Sequence, residues 1–164
     1  MNPELDKQLR DAYPKIFPDR YNGQFGFECG DGWFNLIERL CALVQHTVDR
    51  REKEIASVAA WNVDVTAGIV PHWWNVERDG TPAVKPIPAE IVQPVASQVK
   101  EKFGSMRFYV SSATDEIYNY IAMAEAMSSV TCEECGAPGK RSGTGWVKVL
   151  CDVHTKERNK RRAQ

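Results

Sequence analysis

Long hydrophobic runs are missing from this sequence. No stretch approaches the roughly 18 consecutive apolar residues that a membrane-spanning helix needs. The first residues, 1–7, are polar and of mixed charge, so we expect neither a secretory signal nor a transit peptide. Internal repeats and low-complexity tracts are missing as well. These absences predict a protein that works in a reducing cytoplasm and has no membrane partner.

Histidine and cysteine are scarce, with 3 and 5 copies in 164 residues. An odd number of cysteines without an export signal argues against a disulfide scaffold and favours metal binding or chemistry. The composition is 43% hydrophobic and 26% charged, which is too apolar for a disordered chain and too charged for a membrane protein. We therefore expect one compact globular unit.

Charge is distributed unevenly along the chain. Residues 1–130 carry 13 Lys/Arg and 18 Asp/Glu, whereas residues 131–164 carry 8 and 4. The contrast predicts an acidic core region over 1–130 and a basic C-terminal region over 131–164, packed together as one unit. The basic region is the part of the chain that would attract an acidic partner.

The basic region contains a metal-binding pattern, C-x2-C-x15-C-x2-H, formed by Cys132, Cys135, Cys151 and His154. Two chelating pairs at this separation are typical of a structural zinc site, and four protein ligands leave no position for a reactive water. Glycines and a weakly alternating segment between the pairs predict a hairpin, followed by a helix from 152. A knuckle, a hairpin and a helix start resemble a treble-clef zinc finger. Unligated thiols and a catalytic zinc are the alternatives.

The two other cysteines have a different context. Cys41 lies on the apolar stripe of a predicted helix, as a small buried residue would. Cys29 precedes a helix start, where a thiolate is favoured, but no partner base lies nearby in the sequence. We predict no catalytic residue.

Several helices can be read from the sequence. Asn2 and Pro3 are a helix start signal, and so is Thr114 with its following acidic residues. After Asp31, apolar residues recur every three or four positions as far as Ala59, which predicts one helix of about 30 residues or two helices with a break. Residues 62–94 lose this period and should be irregular.

Residues 94–112 admit two interpretations. In the first, Gly104 and Ser105 form a hairpin turn, which forces Glu101 onto an apolar face. In the second, which we favour, Pro94 opens a helix that Gly104 terminates, and a strand follows from Met106.

A set of aromatic, basic and capping residues suggests a binding site for an anionic, nucleotide-like ligand. The glycines around Asp31 lead into a helix whose N–H groups favour anions, although capping by Asp31 itself is the plainer interpretation. Aromatic faces and cations elsewhere would add stacking and phosphate binding. The residues assigned to this ligand are Asp31, Trp33, Trp73, Trp74, Lys100, Lys102, Arg107 and Tyr109.

Three strings together resemble an uncharacterised family of small proteins of tailed bacteriophages and prophages. They are FECGDGWF at 27–34, KEKFGSMRFY at 100–109, and the terminal CEECG at 132–136 with Cys151 and His154. The resemblance covers most of residues 20–154 and implies a viral accessory protein in the cytoplasm of a bacterial host. It implies no particular activity.

The sequence thus predicts an α+β fold, with helices packed on a small sheet and a C-terminal treble-clef-like zinc finger. The leading functional hypothesis is a non-catalytic protein that sequesters a phosphorylated, nucleotide-like molecule such as a host defence signal. The alternatives are a nucleic-acid-binding protein that uses the basic C-terminus, and an adaptor that inhibits a host protein. An enzyme is less favoured, because no spacing places a base beside a nucleophile. The oligomeric state is not readable.

Overall fold

The computed structural model describes residues 1–18, 26–69, 76–78, 80–143 and 145–164. Over these residues the protein has four α-helices, a small mixed sheet and a C-terminal hairpin, which confirms the predicted α+β class. The elements are α1 (Pro3–Ala12), β1 (Phe27–Glu28), α2 (Phe34–Thr66), β2 (Ala96–Glu101), β3 (Met106–Val110), α3 (Asp115–Ser128), β4 (Lys140–Ser142), β5 (Lys148–Leu150) and α4 (Asp152–Arg162). None of these helices combines the length and the apolar character that a bilayer span requires.

The helices begin where the sequence signals predict. The Asn2 side chain accepts a hydrogen bond from the N–H of Leu5 at 2.9 Å, and Thr114 caps α3 in the same way. A short 3-10 turn, Asp31–Trp33, leads into α2. Of the two alternatives for α2, the single helix is the correct one, because the charged residues 49–54 continue the same helix without a break.

The described residues form two compact units. One contains Met1–Gln45 and Gln93–Gln164, and the other contains His46–Val92. Residues 131–164, predicted to form the zinc finger, belong to the first unit together with the sheet and the helices α1 and α3. The predicted division at residue 130 stays a prediction.

The three-stranded sheet has the order β1-β2-β3, with β1 parallel to β2 and β2 antiparallel to β3. The favoured helix from Pro94 is therefore wrong, and the hairpin alternative is correct. A register shift between Ala96 and Gln98 lets Ala96 and Val99 both face the interior, three positions apart. The four-residue spacing of Val95, Val99 and Phe103 favours a helix, but of these three only Val99 is buried, and Phe103 lies exposed in the turn.

The turn of this hairpin lies one residue earlier than expected. Lys102 and Ser105 exchange backbone hydrogen bonds of 2.8 and 3.2 Å, so Phe103 and Gly104 are the two turn residues. Glu101 does lie on the inner face, but its carboxylate accepts the N–H of Gly104 at 2.6 Å. The position of Glu101 on an apolar face had argued against a hairpin, and this hydrogen bond satisfies its carboxylate there.

Side chains of α3 cover the outer edge of β3. The N–H of Met106 donates to Ser128 Oγ at 2.7 Å, and the N–H of Phe108 donates to Glu125 Oε1 at 2.9 Å. Both donors point away from β2 and would otherwise be unpaired. Side chains of α3 thus supply the hydrogen-bond acceptors that a neighbouring strand would otherwise provide.

The core of the first unit lies between the inner face of the sheet and the helices α1, α2 and α3. The ring of Phe17 packs edge-on against Phe27 and Phe108, with centroids 5.1 and 6.3 Å apart. The other large buried side chains here are Leu9, Ile16, Trp33, Ile37, Leu40, Val44, Val99, Met106, Ile117 and Ile121.

In the second unit, an extended segment is tied to the later part of α2. The side-chain amide of Asn62 bonds both the N–H and the C=O of Lys85, at 2.7 and 2.8 Å. The Lys85 ammonium lies 4.4 Å from the centroid of the Trp61 ring, and Arg51 donates to the carbonyl of Ala89 at 3.2 Å. The predicted irregular region starts only after Thr66, because α2 extends to that residue.

Candidate metal centre

The first ligand pair lies in a tight turn that follows α3. The N–H of Gly136 donates to the carbonyl of Cys132 at 2.8 Å, and the N–H of Cys132 donates to Ala137 at 2.7 Å. Gly136 has a φ of 76°, which glycine adopts without strain. This knuckle points the sulfur atoms of Cys132 and Cys135 to the same side.

The second pair is positioned by the terminal hairpin and helix. Strands β4 and β5 pair with Lys140 opposite Leu150, so the chain returns to the knuckle just before Cys151. Cys151 has the extended backbone of an N-cap residue, with φ −72° and ψ 170°, and α4 begins immediately after it. His154 lies in the first turn of α4, three residues later.

The four side chains converge on one point. Cys151 Sγ lies 3.2 Å from His154 Nδ1, Cys132 Sγ lies 3.4 Å from the same nitrogen, and the sulfur atoms of Cys135 and Cys151 are 3.9 Å apart. All four ligand atoms lie within 4.8 Å of one another. Tetrahedral zinc with ordinary bond lengths separates its ligand atoms by about 3.5 to 3.8 Å. The residues therefore fit a zinc ion.

Backbone donors favour the thiolate form that a metal requires. The N–H of His154 donates to Cys151 Sγ and, together with the imidazole and the neighbouring thiols, lowers the pKa of this thiol to about 7. The N–H of Ala137 also donates to Cys135 Sγ and lowers the pKa of that thiol, but burial and the neighbouring thiols outweigh this bond and raise the pKa above its ordinary value. The other imidazole nitrogen, Nε2, lies 3.9 Å from Glu157 Oε2, which is beyond hydrogen-bond distance.

This Cys3His group can hold a metal ion such as zinc, and its arrangement suits a structural role. Cys132 is buried, and the ligand set brings the knuckle, the hairpin and α4 together at one point. Because four protein ligands complete a tetrahedral sphere, no position is left to activate water.

The knuckle is docked on the loop that contains Gly30 and Gly32. The N–H of Gly32 donates to the carbonyl of Glu133 at 2.8 Å, and the N–H of Gly30 donates to its side chain at 3.0 Å. A Cβ on Gly32 would lie 2.5 Å from the backbone nitrogen of Cys135, and one on Gly30 would lie 2.9 Å from the carbonyl carbon of Glu133. Both glycines are therefore required for the backbones to approach so closely.

Glu133 is a buried acidic residue at the centre of this contact, with 3% of its surface exposed. Burial raises the pKa of its carboxyl group, while Lys148 and the N–H of Gly30 oppose that shift. Its Oε2 atom lies 3.3 Å from Lys148 Nζ, as an ion pair without a well-directed hydrogen bond. The residue was not singled out in the sequence, where a charged residue between two cysteines is unremarkable.

The residues predicted to bind a ligand near the helix start have other partners. Trp33 is fully buried and its indole N–H donates to the carbonyl of Thr131 at 2.9 Å, so its ring offers no stacking face. The Asp31 carboxylate accepts the backbone N–H and the side-chain amide of Asn2, at 2.7 and 2.8 Å. It thus ties the start of α1 to the 3-10 turn.

Three of the predicted ligand residues do share a surface, the outer face of the sheet. Lys100 lies directly opposite Arg107, and its ammonium is 5.6 Å from the centroid of the Tyr109 ring. Arg107 also lies 3.7 Å from Glu125. Lys102 lies in the turn beyond them, whereas Trp73 and Trp74 are outside the described residues.

The remaining cysteines are both buried. Burial raises the pKa of Cys29 to about 12, and burial likewise raises the pKa of Cys41. Neither thiol has the environment of a nucleophile at neutral pH.

The surface of the finger is strongly basic. Beside the knuckle, the Lys148 ammonium lies 3.3 Å from the carboxylates of both Glu133 and Glu134, so this lysine is paired with acidic residues. Besides Lys148, Glu133 and Glu134, residues 131–164 contain two acidic residues, Asp152 and Glu157, and seven basic residues, Lys140, Arg141, Lys156, Arg158, Lys160, Arg161 and Arg162.

Searches of family models, curated proteins and solved structures find no match to this chain.

Proposed function

We propose that this protein binds nucleic acid through its C-terminal finger, with the metal holding the basic residues on a rigid support. The observation that carries the proposal is the concentration of eight basic side chains on the finger against four acidic ones. Cations clustered on one small element are what a phosphate backbone recognises. The acidic remainder of the chain restricts that attraction to the finger.

Helix α4 is the main contact surface in this proposal. Its exposed side chains include Lys156 and Lys160, one helical turn apart, and Arg161 and Arg162 at the end. Arg158 is less exposed, because its guanidinium donates to the carbonyl of Ser142 at 2.9 Å and to that of Trp146. It braces the helix against the hairpin, while its neighbours are available to phosphates.

A phosphorylated small molecule is a second candidate ligand, supported by the sheet's outer face. Lys100, Arg107 and Tyr109 offer cations and an aromatic ring on that surface. It is the weaker proposal, because Trp33 is enclosed by protein and Asp31 is bonded to Asn2.

Two further hypotheses from the sequence stay predictions. A groove between α2 and α3, lined by Leu36, Leu43, Met123 and Met127, supplies an apolar surface of the kind an adaptor would use. A role for the protein in bacteriophage infection, in the host cytoplasm, rests on the resemblance alone.

The test is a binding titration of zinc-loaded protein with fluorescent oligonucleotides at about 50 and 200 mM salt. We expect affinity to fall at least tenfold between these conditions, because each phosphate contact releases counterions. The double variant Lys156→Gln/Lys160→Gln should bind at least fivefold more weakly and show a shallower salt dependence.

The matched control removes two lysines from other exposed sites, as Lys7→Gln/Lys53→Gln, and should bind like the wild type. Equal losses in both double variants, or no binding by the wild type at low salt, would contradict the proposal. Calorimetry with cyclic dinucleotides and mononucleotides examines the second candidate. Binding there that Tyr109→Ala abolishes would support it instead.

A further inference from the structure

The tip of the β2–β3 hairpin places a large aromatic residue in an unfavourable backbone conformation. Phe103 has a φ of 53° and Gly104 has a φ of 77°, so both turn residues lie in the left-handed region, as in a type I′ turn. Asn-Gly is the preferred sequence for this turn, and a bulky side chain in the first position is strained.

Packing does not explain the phenylalanine. Its side chain is 69% exposed, although the ring is among the most hydrophobic groups in the chain. A residue that strains the backbone and also exposes an apolar ring gains nothing for the fold. Such outliers are retained at functional sites, where the side chain meets a ligand.

A second exposed aromatic lies at the tip of the neighbouring hairpin. Trp146 is 68% exposed and follows Gly145, whose φ is 87°. The two tips are in contact, since a Cβ on Gly104 would lie 3.1 Å from Val147, the residue after Trp146. Arg141 in β4 joins them, because its guanidinium donates to the carbonyl of Phe103.

The charged groups around Phe103 are mostly positive. The Lys102 ammonium lies 5.6 Å from the centroid of the Phe103 ring, and Arg141 and Lys140 are exposed on the adjacent strand. The acidic residue nearest in sequence, Glu101, directs its carboxylate to the N–H of Gly104 on the inner side of the turn. Two cations, Lys102 and Arg141, therefore lie beside Phe103 at the point where the two tips meet.

We propose that the two hairpin tips, with Phe103, Trp146, Lys102 and Arg141, form a platform for single-stranded nucleic acid. Bases stack on the two aromatic rings, and phosphates contact the two cations. Because every base can stack in this way, we expect little sequence preference. Paired bases inside a duplex have no free faces to offer. This inference rests on the proposed nucleic-acid binding and specifies its substrate class as single-stranded.

The key experiment is Phe103→Asn, a substitution that the turn itself favours. Asparagine adopts positive φ more readily than phenylalanine, so the variant should fold and melt at the same temperature as the wild type or higher. Its affinity for oligothymidine and oligouridine should nevertheless fall about tenfold, while duplex binding stays unchanged. Trp146→Ala should weaken single-strand binding to a similar extent.

Tyr118→Ala is the matched control, because it removes another exposed aromatic, on α3, away from the platform. It should leave oligonucleotide affinity unchanged. The platform proposal is wrong if the wild type prefers duplex, or if Phe103→Asn binds single strands as well as the wild type does. Neither result would contradict nucleic-acid binding by the finger. If the wild type binds neither form, both proposals fail. Preference between the thymidine and uridine probes distinguishes DNA from RNA as the natural strand.

Discussion

The side chain of Glu133 accepts a hydrogen bond of 3.0 Å from the backbone N–H of Gly30, which lies 103 residues earlier in the chain. This bond joins the middle of the metal knuckle to the loop that precedes α2. The GDG sequence at 30–32 resembles an anion-binding helix start, but the N–H groups of both glycines donate to Glu133 in the knuckle. The knuckle and the loop are thus parts of one structural contact.

Gly32→Ala should destabilise this contact strongly. The added methyl group would overlap the backbone around Cys132 and Cys135, where no side chain can move aside. We expect a loss of about 3 kcal/mol or more in unfolding free energy, and weaker retention of zinc against a chelating dye. Gly26→Ala is the control, because its Cβ would meet only the Asp6 side chain at 3.2 Å. Equal stability of both variants would contradict the docking role.

Zinc should be stoichiometric and should support the fold. Elemental analysis is expected to give one zinc per chain, and removal by a chelator should lower the melting temperature by about 10 °C or more. Cys132→Ser should abolish the zinc signal, because it removes a buried ligand. Cys41→Ala should lose some stability from the core but retain one zinc per chain. A chelator that leaves the melting curve unchanged would rule out a structural metal.

The five thiols should react in two classes. At pH 8 a thiol with a pKa of about 12, such as Cys29, is ionised in roughly one molecule in ten thousand. We expect a thiol reagent to modify almost no cysteine in the zinc-loaded protein. It should modify the three ligand cysteines after chelation, and all five cysteines after denaturation. Rapid modification of Cys29 in the native protein, read by mass spectrometry, would contradict its burial.

The same pKa shift predicts a stability loss in alkali. Because burial raises the folded-state pKa of Cys29 above the ordinary value of 9.0, the unfolded chain loses its proton first as pH rises. The contribution of this thiol to stability is therefore complete below pH 9 and declines above it. Denaturant titrations at pH 8 and 10 should show a smaller decline for Cys29→Ala than for the wild type.

Ser128→Ala examines the covered edge of β3. The variant removes the acceptor for the N–H of Met106, which is buried and has no other partner among the described bonds. We expect a loss of about 1 to 3 kcal/mol, measured by denaturant unfolding. Ser129→Ala, one residue later, removes only an exposed hydroxyl bonded to Ala126 and should cost much less. Similar losses for both serines would show that the edge bond is unimportant.

The local parts of the structure could be predicted from the sequence. Helix starts at Asn2 and Thr114 depend on bonds within three residues, and they are confirmed. The ligand spacing of the finger is equally local, because each chelating pair lies within one turn. These features need no knowledge of the rest of the fold.

The features that sequence reasoning missed depend on distant contacts. The strand at Ala96–Glu101 was misread because its register shift and the Glu101 to Gly104 bond exist only once the hairpin forms. The role of Gly30 and Gly32 depends on a knuckle about a hundred residues away. One signal in the sequence could have suggested a close backbone approach. It is the pair of glycines, Gly30 and Gly32, that lies just before Trp33.

The knuckle and the loop on which it packs are 103 residues apart in the sequence, measured from Gly30 to Glu133, and this separation has a consequence for biosynthesis. The ribosome releases the loop around Trp33 long before Thr131 and Glu133 are translated. A nascent chain therefore carries an unshielded indole while the roughly hundred residues between the loop and the knuckle are translated. Assembly of the first unit must therefore wait until the knuckle has been translated.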